Sequence, residues 1–173
     1  MHLNPSSSID RKFMTRMTTH SIIETPLKHR GSNRPAAVLR VDEFWRASPI
    51  AVAEGKYVLV VACEDTAGVS SIEVARTWID AGASYLCAWG PRSEVVEETF
   101  DYAGFSPAYG EPLSFTLMTT SHKDEVLDDA LWFAFYNAIP PYDIEHELST
   151  VVVVVDSVEL ESKCVAWIRE NVE

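Results

Sequence analysis

The sequence predicts an α/β protein built around a mainly parallel sheet of four or five strands, and three observations support this. Apolar, β-rich runs alternate four times with segments of helical periodicity from Tyr57 onward. The runs "VLVV" and "VVVVV" lack polar alternation, which is typical of strands buried on both faces. Right-handed crossovers between parallel strands place helices on both sides of the sheet. The prediction is therefore a three-layer fold of the flavodoxin-like or Rossmann-like kind.

Four segments have the composition of strands, and a fifth segment is a candidate. The third segment alternates between polar and apolar residues, which suits an edge, whereas the valine-rich fourth would be an aggregation hazard there. The common order 2-1-3-4 leaves the fourth strand on an edge. The fifth strand, a second subunit or an interior place for the fourth strand would resolve this, so the order stays open. The predicted strands are 57–63, 84–89, 113–119 and 150–156, and the candidate fifth is 36–41.

Four segments have helical periodicity, and each of them follows a strand. Ser70 with Glu73 forms a capping box, and Asp156 with Glu159 has a related pattern. We therefore expect helix capping to occupy much of the polar chemistry between strands and helices. The predicted helices cover residues 70–81, 92–103, 123–138 and 157–171.

The length of 173 residues fits one domain, expected over 36–173 behind a flexible basic N-terminal arm at 1–35. The net charge of −12 is unevenly spread. Residues 1–46 contain eight Lys or Arg and four Asp or Glu, a balance of +4, and the rest contain six and twenty-two, a balance of −16. Because a body this acidic repels phosphates, we expect no nucleic acid to bind it.

The sequence lacks the features of an exported or membrane-bound protein. No apolar run approaches the roughly 20 residues that span a bilayer, and the start lacks the apolar middle of a secretion signal. Cys63, Cys87 and Cys164 lie in apolar segments without a CxxC pair, as buried reduced thiols do. We therefore expect a soluble cytoplasmic protein with no membrane partner.

The third predicted helix, which contains "DDALWFAFYNAIPP", carries large apolar side chains on every side. One stripe, formed by Leu127, Leu131, Phe135 and Ala138, is expected to face the sheet. The helix therefore has more apolar surface than one core can cover.

Trp132, Phe133 and Tyr136 lie away from that stripe, and aromatic side chains are rarely left exposed in clusters. Two explanations are open. The first is cover from within the chain, by the segment that precedes Tyr57. The second is a protein interface, formed with a second copy in a homodimer or with another protein. The residues that would provide the cover from within the chain are Phe44, Trp45 and Ile50.

Ligand sites in parallel sheets form at the carboxyl ends of the strands, where four short polar stretches of this chain should meet. In one interpretation Glu64, Asp65 and Asp156 hold Mg²⁺ for phosphoryl chemistry, as phosphoacceptor receiver domains do. The third strand ends in "MTTSH", without the aspartate that receiver domains need there. We therefore predict no dedicated metal site and no cofactor, with Mg²⁺ as the one metal that these acids suggest.

In a second interpretation His122 is a general base or metal ligand near Ser121 or Cys63. A single His after a strand more often packs or caps than catalyses, and the chain offers no HxH or HxxxH partner. The catalytic candidates are His122, Glu64 and Asp65.

In a third interpretation "WGPRS" and "TTSH" each open a helix and bind a phosphate or carboxylate through backbone N–H groups and Arg92. Trp89 would stack on a ring of the ligand, and the lack of a Gly-rich turn argues against a dinucleotide. Ser93 and Ser121 have a simpler alternative role as helix N-caps. The ligand-binding candidates are Trp89, Arg92, Ser93, Thr120 and Ser121.

Two segments, "CAWGP" at 87–91 and "TTSHKDEVLDDALWF" at 119–133, resemble a family of small bacterial α/β proteins. The resemblance covers residues 57–156. It implies no established activity and therefore no catalytic residue. It does imply that Trp89, His122, Asp124 and Glu125 should be considered together.

Two classes of function follow from these patterns. The first is a non-catalytic binding or protein-interaction module that self-associates or docks a partner through the aromatic third helix. The alternative is a small enzyme or ligand sensor that takes a phosphate- or carboxylate-bearing small molecule at the carboxyl ends of the strands. Whether the protein is an enzyme stays open at this point.

Overall fold

The computed structural model describes residues 27–28, 34–47, 49, 55–64, 70–139 and 148–171. The strands are β1 Leu27–Lys28, β2 Pro35–Arg40, β3 Lys56–Ala62, β4 Ala83–Trp89, β5 Met118–His122 and β6 Leu148–Val155. They form one sheet in the order β1-β2-β6-β3-β4-β5. β1 pairs antiparallel with β2, and all the other neighbours are parallel.

The helices cover both faces of this sheet. They are α1 Ile72–Asp80, α2 Ser93–Phe105, α3 Leu127–Tyr136 and α4 Val158–Glu170, with short 3-10 helices at Phe44–Arg46 and Pro107–Tyr109. α1 and α2 bury their apolar faces in one core, and α3 and α4 bury theirs in a second core on the opposite side. The predicted three-layer, mainly parallel α/β fold is confirmed.

The valine-rich strand β6 lies inside the sheet, between β2 and β3. Its valines at 151–155 are all 0% exposed, so both faces of the strand are covered. The candidate fifth strand does form, as β2, and shields the outer edge of β6. The third predicted strand, β5, ends the sheet on the other side, at the edge position that was expected for it. The four strands predicted first therefore follow the order 4-1-2-3, and the common order 2-1-3-4 is not the one found.

The third strand begins five residues later than predicted. Residues 113–117 form an irregular connection, and β5 starts at Met118. Leu117 is buried in the core beside α2, and Leu113 and Phe115 pack against that core. Their apolar alternation therefore reflects the packing of a loop and not the pleat of a strand.

Helix α3 begins at Leu127, four residues later than predicted, because residues 123–126 form a turn. The backbone carbonyl of Glu125 in this turn accepts a hydrogen bond from the Trp89 indole. The stripe predicted to face the sheet is buried against it, with no member more than 8% exposed. Its members are Leu127, Leu131, Phe135 and Ala138.

The predicted cover of α3 by the segment before Tyr57 is wrong for the aromatic residues that the structure describes. Phe44 lies on the opposite face of the sheet, with ring centroids 6.0 Å from Trp78 and 6.3 Å from Phe100. Trp45 belongs to the same core, since it packs edge-on against Phe44. The chain reaches that face after β2, where Val41 joins the same core shortly before the 3-10 helix at Phe44–Arg46.

One residue of the predicted arm is seen to contact α3 among the residues that the structure describes. Ile50 and most of the predicted arm at 1–35 lie outside the described residues. Within the arm, Arg34 does reach α3, where its Nη1 donates to the carbonyls of Ala134 at 3.3 Å and Ala138 at 3.1 Å. What this segment contributes to the end of α3 is therefore a guanidinium group.

Phe44→Ala should destabilise the protein by about 3–5 kcal/mol, because it opens a cavity between Trp78 and Phe100. Urea denaturation followed by circular dichroism measures this. Phe105→Ala is the matched control, since Phe105 is 69% exposed and its truncation should change stability by about 0.5 kcal/mol or less. Equal losses in the two variants would contradict the placement of Phe44.

Candidate functional site

A hydrogen-bonded network joins the carboxyl ends of β4 and β5. The Trp89 indole Nε1–H donates to the backbone carbonyl of Glu125 at 2.8 Å. His122 Nδ1 lies 2.8 Å from a carboxylate oxygen of the same Glu125, and His122 Nε2 lies 3.2 Å from the Thr120 hydroxyl. The turn that leads into α3 is thus fastened to both strands through Glu125.

The imidazole of His122 is buried as well as doubly hydrogen-bonded. His122 is 4% exposed, and its ring centroid lies 4.9 Å from that of Phe133 on α3. Phe133 in turn contacts Tyr85 at 6.2 Å between ring centroids. With both ring nitrogens engaged and one face covered, His122 is placed to hold the turn and α3 against the sheet.

The hydroxyl groups of β5 are also engaged within the domain. Ser121 Oγ lies 2.8 Å from Ser93 Oγ at the start of α2, and Ser93 is 1% exposed. Thr120 Oγ1 donates to the Leu86 carbonyl of β4 at 3.2 Å. Thr119 Oγ1 donates to the Asp101 carboxylate of α2 at 2.7 Å. β5 is therefore tied to its neighbours by the side chains of its last four residues.

The structure brings some of the predicted ligand-binding residues together and separates others. Trp89 and Thr120 contact the Glu125–His122 pair, and Ser93 pairs with Ser121. Arg92 is exposed at the turn before α2. The segment "TTSH" is part of β5 and opens no helix, which corrects the anion-binding interpretation at that segment.

The predicted capping residues are displaced by one position in two helices. Ser71, and not Ser70, caps α1 by accepting a hydrogen bond from the Val74 N–H at 3.2 Å. Ser157, and not Asp156, caps α4 by accepting from the Leu160 N–H at 3.2 Å.

The predicted caps of the two middle helices are also wrong. The N-caps of α2 and α3 are Arg92 and Val126, and neither makes a side-chain cap bond. Ser93 and Ser121 hydrogen-bond to each other instead, because Ser121 sits in a strand that runs beside the first turn of α2.

The acidic candidates lie at the neighbouring strand ends. Glu64 is exposed after β3, Asp156 follows β6 with its Oδ1 shielded from solvent, and Asp65 lies outside the described residues. Among the residues that the structure describes, no three His, Cys, Asp or Glu side chains are grouped so that they could hold a metal ion. The described geometry therefore adds no support to the Mg²⁺ interpretation.

Cys63 lies in the core beneath α1 and α2, whereas His122 packs on Phe133 at the core on the other face, so the structure does not pair them. The Cys63 Sγ lies 4.0 Å from the Val154 carbonyl, and burial raises the pKa of this thiol well above its ordinary value. Gly90, at φ +115°, approaches the Cys63 carbonyl so closely that a side chain would not fit between them.

One titratable group at this end of the sheet was missed by the sequence analysis. Glu97 on α2 is half-buried, and its pKa is raised by burial first and then by the nearby carboxylates, of which Asp101 has the largest effect. His122 opposes this rise. The spacing of Glu94, Glu97 and Asp101 along one side of α2 was the available signal, because positions i, i+3 and i+7 share a helix face.

Glu97→Gln should stabilise the protein near neutral pH. Because the folded-state pKa of Glu97 lies above its unfolded value, the ionised carboxylate is less favourable in the folded protein, and stability falls as pH rises through that pKa. We expect a gain below about 1 kcal/mol at pH 7, since water screens this surface. The gain should vanish near pH 4, where unfolded and folded carboxyl groups are both largely protonated.

Thermal unfolding at the two pH values measures this gain, and Glu170→Gln at the exposed end of α4 is the control. A gain at both pH values, or an equal gain in the control, would contradict this account.

Comparison of the sequence with known proteins identifies the family to which the chain belongs. Within the part of the chain that the structure describes, no helix is both long and apolar enough to cross a membrane. No curated protein and no solved structure matches the sequence. A family model, the domain of unknown function DUF7684, matches residues 37–171. The expectation of a family that carries no assigned activity is thereby confirmed, and the chain belongs to the DUF7684 family.

Proposed function

We propose that this protein is a non-catalytic protein-interaction module of bacterial type, located in the cytoplasm, which docks through the outer surface of α3. The observation that carries the proposal is Trp132, which is 50% exposed on a helix whose inner stripe is buried. Its ring centroid lies 5.5 Å from that of Tyr136, one turn further along. Tryptophan and tyrosine supply much of the binding energy at protein interfaces.

The surroundings of this pair support docking of a protein. Val126 is 64% exposed before α3, and Ile139 is 55% exposed after it, so apolar surface brackets the helix at both ends. Asp128 and Asp129 are exposed in its first turn. An apolar centre with an acidic border matches a partner that has an apolar patch bordered by Lys or Arg. A second copy would bring like charges together, so the homodimer is the less favoured arrangement.

The polar network favours a non-catalytic role, because its side chains are hydrogen-bonded within the domain. The Trp89 indole and the His122 imidazole both bind Glu125, and Ser93 and Ser121 bind each other. These groups stabilise the junction of β4, β5 and α3. Three free, buried thiols support the cytoplasmic location, where cysteines stay reduced.

Trp132→Ala tests the docking surface. If the partner is another protein, we expect the variant no longer to co-purify with it. If the partner is a second copy, we expect the variant to stay monomeric at concentrations where the unaltered chain dimerises, as light scattering measures. The free energy of unfolding should change by about 1 kcal/mol or less, because half of the side chain is already in water. Tyr102→Ala is the matched control, since Tyr102 is 56% exposed on the opposite face and should leave both readouts unchanged. Loss of association in both variants, or in neither, would contradict the proposal.

A second candidate function is a small enzyme or ligand sensor, favoured by the start of α2. This helix begins without a side-chain cap, beside the exposed Arg92 and the partly exposed Trp89. Backbone N–H groups at a helix start bind phosphate or carboxylate, and Arg92 could complete such a site for a small anion.

A thermal-shift series with inorganic phosphate, nucleotides and Mg²⁺ tests this second candidate. Saturation at about 100 times the Kd would stabilise the protein by roughly 2.7 kcal/mol and raise the melting temperature. Arg92→Ala should remove that rise and His122→Ala should weaken it, while Arg169→Ala, at an exposed Arg on α4, should preserve it. If no ligand raises the melting temperature, or if Arg92→Ala and Arg169→Ala show equal rises, the proposed anion site would be contradicted.

A further inference from the structure

Among the residues that the structure describes, none pairs with the outer side of β5, which is an edge of the sheet. It pairs through one side with β4, from Tyr85↔Met118 to Trp89↔His122, and it is the last strand in the order of the described residues. Alternate residues of an edge strand direct their backbone N–H and C=O groups outward, away from the sheet. Proteins commonly block such an edge with Lys, Pro or a bulge. The sequence of β5, "MTTSH", contains neither Lys nor Pro, and its pairing with β4 runs without a register shift.

The β5 edge is also held in place before any partner arrives. Thr119 and Ser121 are hydrogen-bonded to α2, and Thr120 and His122 are hydrogen-bonded to β4 and the following turn. A strand fixed in this way loses little further conformational freedom on binding, which favours association. Met118 is 38% exposed, and residues 119–121 are partly exposed, so the edge is accessible along most of its length.

An acidic stripe on α2, formed by Glu94, Glu97 and Asp101, runs beside this edge. Asp101 accepts a hydrogen bond from Thr119 of β5, and Glu94 pairs at 2.8 Å with Lys123, which directly follows β5. Glu97 lies between them along the helix, and among the described residues it forms no salt bridge with Lys or Arg. The raised pKa of Glu97 reflects burial and the negative potential of the neighbouring acids.

We propose that the β5 edge binds an extended, Lys- or Arg-rich segment of a partner protein, which adds to the sheet as a further strand. The backbone groups of β5 would supply the strand pairing, and alternate basic side chains of the segment would reach the acidic stripe. This mode of recognition draws affinity from main-chain hydrogen bonds and specificity from alternate side chains. The surface is distinct from Trp132 on α3, and neither proposal depends on the other.

Charge selects this occupant over a second copy of the chain. Edge-to-edge pairing of two β5 strands would place two acidic stripes beside each other, and like charges across an interface disfavour association. A basic segment instead neutralises the stripe, and each contact with a half-buried carboxylate is stronger than one in open water.

Fluorescence anisotropy with designed peptides tests this proposal on the full chain. The probe is a labelled peptide that alternates Lys and Val over about nine residues, which is long enough to cover a typical edge strand. One control peptide carries Pro in place of alternate Val residues, which keeps the charge and removes strand pairing. A second control alternates Glu and Val. The expected result is binding of the Lys-Val peptide alone, weakened by salt because charges are screened.

Two charge-reversal variants separate a local site from general attraction. Glu97→Lys should weaken binding by about tenfold or more, equivalent to about 1.4 kcal/mol. Glu170→Lys makes the same charge change at an exposed position at the end of α4 and should alter binding by less than about twofold. Circular dichroism establishes that both variants are folded. Amide hydrogen exchange should show new protection within Met118–His122 when the peptide binds.

Four results of these experiments would overturn the assignment of the peptide to the β5 edge. Tight binding of the Pro-containing peptide, equal losses in the two Lys variants, or no binding of the Lys-Val peptide up to about 1 mM would each overturn the proposal. Because Trp132→Ala leaves the β5 edge intact, it should bind the Lys-Val peptide as the unaltered chain does. Loss of peptide binding in Trp132→Ala would place the peptide on α3 and overturn the assignment to β5.

Discussion

The domain is organised by β6, whose five consecutive valines need cover on both faces and on both edges. Each buried valine contributes roughly 1.5–3 kcal/mol relative to an exposed one, so the strand is stable only in the interior. β2 and β3 supply its two edges. α1 and α2 lie over one face of the sheet, and α3 and α4 lie over the other. The parallel direction of these strands then brings their carboxyl ends to one side of the sheet, where the polar network lies.

The polar network shows how the Ser, Thr and His side chains of an edge strand join it to its neighbours. Parallel pairing supplies backbone hydrogen bonds on one side of β5, and its side chains make further bonds to α2, β4 and the turn before α3. Glu125 is central to this arrangement, because its backbone binds Trp89 while its carboxylate binds His122. Several residues that the sequence offered as catalytic or ligand-binding candidates thus join β4, β5 and the turn before α3.

The sequence was informative wherever burial alone determined structure. The valine runs predicted the parallel interior strands, and the spacing of Leu127, Leu131 and Phe135 predicted the buried face of α3. It was misleading where apolar residues pack without regular structure, as in residues 113–117, and where polar residues form a strand, as in β5. The side of the sheet taken by Phe44 was also beyond reach, because it depends on the path of the chain after β2. The family resemblance did group Trp89, His122 and Glu125, but the hydrogen bonds by which Glu125 joins the other two depend on the tertiary arrangement.

The distribution of the thiols has a practical consequence for observing motion within the folded protein. Cys63 lies in the core beneath α1 and α2, whereas Cys87 on β4 and Cys164 on α4 lie in the core on the other face. Burial raises the pKa of Cys87 and of Cys164 to about 12, so neither forms the reactive thiolate while it remains enclosed. The rate at which each thiol is alkylated in the native protein therefore reports how often its own layer opens. A label on Cys63 reads one face of the sheet, and labels on Cys87 and Cys164 read the other.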